Sequence, residues 1–181
     1  EPRPKSVLDM STKDLIATAA LINRDDNLSG PKLNIICSGT VHSPQPGWQP
    51  EELTAKADAG ATIVISQLCF DVDLLKRYMS NLVAKRMTHR MQFIISLATL
   101  PSARIAEFVR DNRRRALIPP EVIKRLEQSA DAEAEGVAIC SELLQQYEEI
   151  PGVSGVNITT LGSVDTISEA IQASGIRRKQ E

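Results

Sequence analysis

The stretch TIVISQLCFDVDLL, residues 62–75, decides the architecture. Thr62–Ser66 read as a buried strand, and Asp71 opens a helix four residues after Gln67. An aliphatic strand without polar alternation belongs in a parallel sheet covered by helices. Its end is unusual, because burying an unpaired amide costs on the order of a few kcal/mol and a valine would cost nothing. Gln67 therefore needs a partner. Two kinds fit: the backbone of a neighbouring loop, or the edge of a polar heterocycle that accepts and donates side by side.

Working outward, the same alternation repeats. Ser11 is a good N-cap for an apolar-periodic helix that follows it. Lys32–Gly39 reads as a short strand entering the loop TVHSPQPGWQ. Pro50–Gly60 has proline in its first turn, acids beside it and a closing glycine, the marks of a whole helix. Met91–Ala98 is a third strand, followed by the helix-like PSARIAEFVRDN. Two helical segments cover Glu121–Gln128 and Asp131–Glu149, the second with Val137, Cys140, Leu143, Leu144 and Tyr147 on one stripe. Val153–Thr160 is the fourth strand, and a last helix ends at Gly175. Strands joined through helices need right-handed crossovers, which give a doubly wound sheet or a (βα) barrel. Neither a G-x-G-x-x-G nor a Walker loop is present, which weakens the doubly wound nucleotide-binding option. Four strands cannot close a barrel of eight, which takes about 250 residues. A barrel thus requires an N-terminal half ahead of Glu1; an open sheet requires covered edges.

The 181 residues are 42% hydrophobic, 24% charged and 3% aromatic, which suits one globular domain spanning 1–181. A net charge of −2 gives no general attraction for nucleic acid or an anionic membrane. The basic run Arg110–Arg115 lacks interleaved aromatics or glycines and reads as a solvated helix end. Cys37, Cys69 and Cys140 are odd in number and widely spaced, as expected of reduced thiols in a cytoplasmic protein without a zinc site. No apolar run approaches the ~18 residues of a membrane span.

Chemistry in either architecture belongs at the C-terminal strand ends. The residues there are Cys37, Ser38 and His42; Ser66 and Gln67; Ala98 and Thr99; Asn157, Thr159 and Thr160. They form hydrogen-bonding groups, with no nucleophile–base–orienter triad. Asp71 reads as an N-cap, Lys56 as a solvated lysine, and His89 lies at the opposite end of the sheet. A metal site from Cys37, Cys69 and His42 is not expected.

KADAGATIVISQLCFDVD, Lys56–Asp73, resembles the methylenetetrahydrofolate reductases, whose pattern here is K-x-D/E-A-G-A, a strand ending in T/S-Q, hydrophobic residues, then F-D/E-x-D/E. LATLP, IPPEVIKRLE and GVSGVNITTLG resemble later family segments, and VLDMSTKDLI with SGTVHSPQPGW fits the region between the family's fourth and fifth strands. The resemblance implies strands five to eight of a (βα)8 TIM barrel, the C-terminal part of that single domain. It further implies reduction of 5,10-methylenetetrahydrofolate to 5-methyltetrahydrofolate, with hydride passing from NAD(P)H through bound flavin, usually FAD. By the resemblance, Gln67 contacts the folate pterin, Leu68 lies against the substrate, and Phe108 packs on substrate or nicotinamide. Lys56 then contacts the FAD phosphate and sugar, with Ser38, His42 and Gln49 in flavin-contacting positions. The proton-donating glutamate is expected ahead of Glu1. Departures include Cys37 or Ser38 where an aromatic is expected and Gln49 where an acid is expected. They keep a second reading open: a non-catalytic or flavin-free folate-binding partner subunit of the same fold. The partners implied are a tetrahydrofolate derivative and a homo-oligomer or a subunit that completes the barrel.

Overall fold

The computed structural model describes residues 10–25, 27, 30–113 and 115–176. The segment VLDM up to residue 9, and Arg114 of the basic run, therefore lie outside the described residues. Helix α1 (Thr12–Ile22) leads into β1 (Ile36–Gly39), α2 (Glu51–Ala59), β2 (Ile63–Leu68) and α3 (Val72–Ala84). After them come β3 (Gln92–Thr99), α4 (Ala103–Asn112), α5 (Pro120–Gln128), α6 (Ala132–Glu148), β4 (Val153–Thr160) and α7 (Asp165–Ser174).

Local chemistry sets most of these bounds. Ser11 caps α1 in a reciprocal box with Asp14, and Asp71 caps α3 by accepting from Leu74 N at 2.8 Å. Gly60 ends α2 at φ 119°, a conformation that suits glycine. A Cβ there would also strike Ala20 of α1, so the same glycine lets the two helices pack.

The four strands form one sheet in the order β1-β2-β3-β4, and every neighbouring pair is parallel. A doubly wound sheet reverses its order at a switch point, and this one has none. Right-handed crossovers taken always in the same direction put the connecting helices on one face. That face is the core. Val64, Phe93, Ile95 and Leu97 are buried under Leu75, Met79 and Leu82 of α3 and Ile139, Cys140 and Leu144 of α6, each side chain contributing about 1.5–3 kcal/mol by leaving water. Tyr147, also buried, donates its hydroxyl hydrogen to the Cys69 carbonyl.

Two expectations change. The first strand is four residues long rather than eight: its ladder with β2 starts only where Ile35 O accepts from Thr62 N. The second strand does not stop before Gln67 but continues to Leu68 through a bulge, with register lost between Ile65 and Leu68. Ser66 and Ser96 repair that gap. Ser96 N donates to Ser66 Oγ (3.0 Å), and Ser96 Oγ donates to Ser66 O (2.7 Å).

Candidate functional site

Beyond its bulge β2 rejoins β3, with Leu68 opposite Ser96 and Cys69 N donating to Ser96 O (3.0 Å), and on its other side pairs with the α4–α5 connection: Leu117 N donates to Leu68 O, and Phe70 N to Leu117 O. This pairing holds Arg115, Ala116 and Leu117 across the strand ends. Among the described residues no helix covers the opposite face of the sheet, which carries Ile36, Ser38, Ile65 and Gln67 on one side. Ser96, Asn157 and Thr159 continue it on the other, where β3 and β4 run in register.

Gln67 sits between two clefts on that face. One of about 300 Å³ is lined by Ser66, Leu68, Ser96, Arg113, Asn157 and Thr159 as well as Gln67. The other, of about 750 Å³, includes Ile36, Ser38, Thr40, Glu52, Ile65 and Arg115. The amide of Gln67 has found a partner within the chain. Its Oε1 accepts from Val41 N, and its Nε2 donates to Val41 O, both at 2.9 Å. Of the two partners open to it, the loop backbone is the one observed. One amide hydrogen and one lone pair remain for a ligand.

Lys56 is not the solvated lysine its helix position suggests. Only 8% exposed, it donates from Nζ to Ser38 O (2.8 Å) and pairs with Glu52 (2.6 Å). The ammonium is thereby fixed beneath the end of β1. Burial pushes the neighbouring Cys37 thiol above its ordinary range, although Lys56 opposes the shift.

His42 and Gln49 share a third cleft, of about 460 Å³, with Trp48, Tyr78, Glu52 and Arg115. Here His42 stands edge-on to Trp48 at 5.0 Å and to Tyr78 at 5.2 Å. Its Nδ1 lies 3.0 Å from the Thr40 carbonyl, which can only accept. Burial raises the Tyr78 phenol above its ordinary value, so it stays protonated.

The strand ends thus bring Ser38, His42, Gln49 and Lys56 together around β1, and Gln67 with Leu68 around β2. Phe108 is not brought in. It is 60% exposed on the outer side of α4, and neither cleft beside Gln67 includes it. Thr99 points away as well, bonding Thr166 of α7 at 2.8 Å within the helix layer. Conversely, Arg115 was read with a solvated helix end, yet its Nη1 reaches Thr40 Oγ1 at 3.1 Å. Nothing in the run of arginines distinguishes the one that turns back. His89 lies with Gln92 at the far end of the sheet. Among the described residues no group of three His, Cys, Asp or Glu side chains could hold a metal, and no helix is long and apolar enough to cross a membrane.

A solved Clostridium thermocellum protein, described as an uncharacterized protein that binds two copies of 5-methyl-5,6,7,8-tetrahydrofolic acid, has the same fold with a TM-score of 0.50. The two are 16% identical, and the match covers 95% of this chain and 64% of that one, so the chain spans under two thirds of its neighbour's length. No curated protein matches the chain. The sequence profile of the methylenetetrahydrofolate reductase family matches residues 18–175, nearly the whole of what is described above. By that match, the chain belongs to the methylenetetrahydrofolate reductase family.

Proposed function

We propose that the chain is the folate-holding part of a one-carbon oxidoreductase that reduces 5,10-methylenetetrahydrofolate to 5-methyltetrahydrofolate with NAD(P)H. The observation that carries this reading is the row Gln67, Ser96, Asn157 and Thr159 on the uncovered face, beside a cleft of about 300 Å³. Amides and hydroxyls in a row offer both donors and acceptors to the edge of a reduced pterin, and Leu68 covers a ring laid against them. The neighbour's binding of 5-methyltetrahydrofolate supports the same ligand class.

Four consecutive parallel strands with helices on one face are half the layout of an eight-strand barrel. In this proposal four further parallel strands join the free edges of β1 and β4, and the proton-donating carboxylate belongs to them. The residues around β1 fit the phosphate and sugar of a flavin dinucleotide. Lys56 keeps one N–H beyond its bonds to Ser38 and Glu52, and His42 and Gln49 line the adjoining cleft. Bound there, FAD would supply hydride transfer between nicotinamide and folate. The chain's own residues orient the pterin through Gln67, hold a phosphate through Lys56 and shield the ring from water through Leu68.

A second reading, folate binding without reduction, is favoured by the exposure of Phe108 away from the clefts. One titration separates them. Purified protein that is yellow with bound flavin and binds 5-methyltetrahydrofolate in a calorimeter fits the reductase. Colourless protein that binds the folate fits the second reading, and absence of folate binding sinks both.

A further inference from the structure

Arg115 lies on the α4–α5 connection, with φ +67°. A non-glycine residue in that region costs roughly 1 kcal/mol or more and persists only where its surroundings hold it. Here the parallel pairing of Leu117 with the end of β2 does so, two residues further on. The side chain then crosses the strand ends to Thr40, where a single N–H is used. It lines both the 460 Å³ cleft and the 750 Å³ cleft, and Gly39, Thr40 and Glu52 are the other residues common to the two. Among the described ion pairs Arg115 has no carboxylate: Glu52 is taken by Lys56, Asp111 by Arg110, and Glu135 and Glu142 by Arg125. A guanidinium has five donors and no acceptor, and its planar fork matches an oxyanion. One with no carboxylate partner among the described residues, set between two clefts, is suited to bind an anion.

We propose that Arg115 binds an oxyanion of the ligand that enters the strand-end clefts and, through Thr40, fixes that ligand's charged end beside β1. This rests on the reading of the uncovered face as a binding site and adds the charge its ligand must carry. Two sources share the chemistry: the glutamyl carboxylates of a folate and the pyrophosphate of a flavin nucleotide. Arg104, exposed on α4 and outside all three strand-end clefts, serves as the internal control.

The test titrates wild type, Arg115→Gln and Arg104→Gln with N-(4-aminobenzoyl)-L-glutamate and with inorganic pyrophosphate. Calorimetry is one readout. Emission of Trp48, the only tryptophan and a lining residue of the first cleft, is the other. A saturable response to one probe, weakened about tenfold to a hundredfold in Arg115→Gln and little changed in Arg104→Gln, supports the proposal. The probe that responds names the source. Equal affinities in wild type and Arg115→Gln, no response to either probe, or an equal loss in Arg104→Gln overturns it. Far-UV circular dichroism confirms that the variants, altered at exposed positions, are folded. A tetrahydropterin without the glutamyl tail keeps the two claims apart. If it binds while both probes fail, Arg115 loses its role and the pterin site stands. If a probe binds through Arg115 while the tetrahydropterin does not, the folate reading fails alone.

Discussion

On the helix-covered face of the sheet, Val64, Phe93, Ile95 and Leu97 are buried in apolar contact with α3 and α6. One residue over on the same strands, Ser66, Gln67, Ser96 and Asn157 bond backbone and each other on or beside the other face. The strands alternate, so both faces are written into the same few residues. Their energetics differ. Apolar contacts on the covered face are lost outright when a side chain changes, because interiors are close-packed. Hydrogen bonds on the open face exchange against water or a ligand, so each contributes only about 1 kcal/mol net. Substitutions behind the sheet should therefore lower stability and leave binding alone, and those in front should do the reverse.

The hardest blow to the covered side is expected from Gly136→Ala. A Cβ at that point of α6 would run into the backbone carbonyl of Leu100, which has no flexible end to move aside. Overpacking of this kind costs about 2–3 kcal/mol, a fall in Tm of roughly 5–10 °C for a chain of this size. A melt within 2 °C of wild type would mean that α6 is not seated on the end of β3.

Tyr147→Phe comes next. Removing the hydroxyl leaves the buried Cys69 carbonyl without its donor, at a cost of about 1–2 kcal/mol in urea unfolding with an unchanged slope. On the open face the ranking should invert. Gln67→Ala gives up two bonds to the Val41 backbone in a half-buried place; with water taking over part of each, stability should fall by about 0.5 kcal/mol per bond, about 1 kcal/mol in all. Affinity for 5-methyltetrahydrofolate should fall about tenfold while bound flavin is retained; a folate titration superimposable on wild type would remove Gln67 from the site. Lys56→Ala should weaken FAD about fivefold, and an unaltered FAD dissociation constant would leave the buried ammonium a purely structural strut for Ser38 and Glu52.

How far the sequence was legible follows the same division. The helices and strands of the covered side were readable because periodicity, caps and closing residues agree: Ser11, Asp71 and Gly60 end their elements where the chain's chemistry says they must. Parallel neighbours were legible from the aliphatic strands joined through helices. The bulge at Ser66 was not, because its cause lies in Ser96, 30 residues away, whose hydroxyl replaces a ladder bond. Arg86, at φ 57° before a 3₁₀ turn, carries no glycine or asparagine to announce it. For the site, the strand-end glutamine was plain to see, but its pairing with Val41 depends on how the loop after β1 folds back. The burial of Lys56 depends on the same edge, and periodicity along α2 does not reveal what a neighbouring strand end will demand.

The smallest effect should come from the rim of the helix layer, and it tests whether charge there counts at all. Arg125 of α5 forks onto Glu142 of α6 at 2.7 and 3.0 Å and also reaches Glu135. That hydrogen bonding holds the Glu142 carboxyl below its ordinary range. A carboxylate with a depressed folded-state pKa stabilises above its unfolded pKa, and this contribution is lost as pH falls through the lower, folded value. Glu142 and Arg125 are 49% and 43% exposed, so water screens the pair and the contribution is only about 0.3–0.5 kcal/mol. Glu142→Gln should therefore melt about 1 °C below wild type at pH 7 and match it once acid has protonated the native carboxyl, below the ordinary carboxylate range. Added salt at pH 7 should narrow the same gap. A gap that persists in acid or high salt would mean Glu142 holds α5 to α6 by packing its stem, which would extend the covered face's behaviour out to its polar rim.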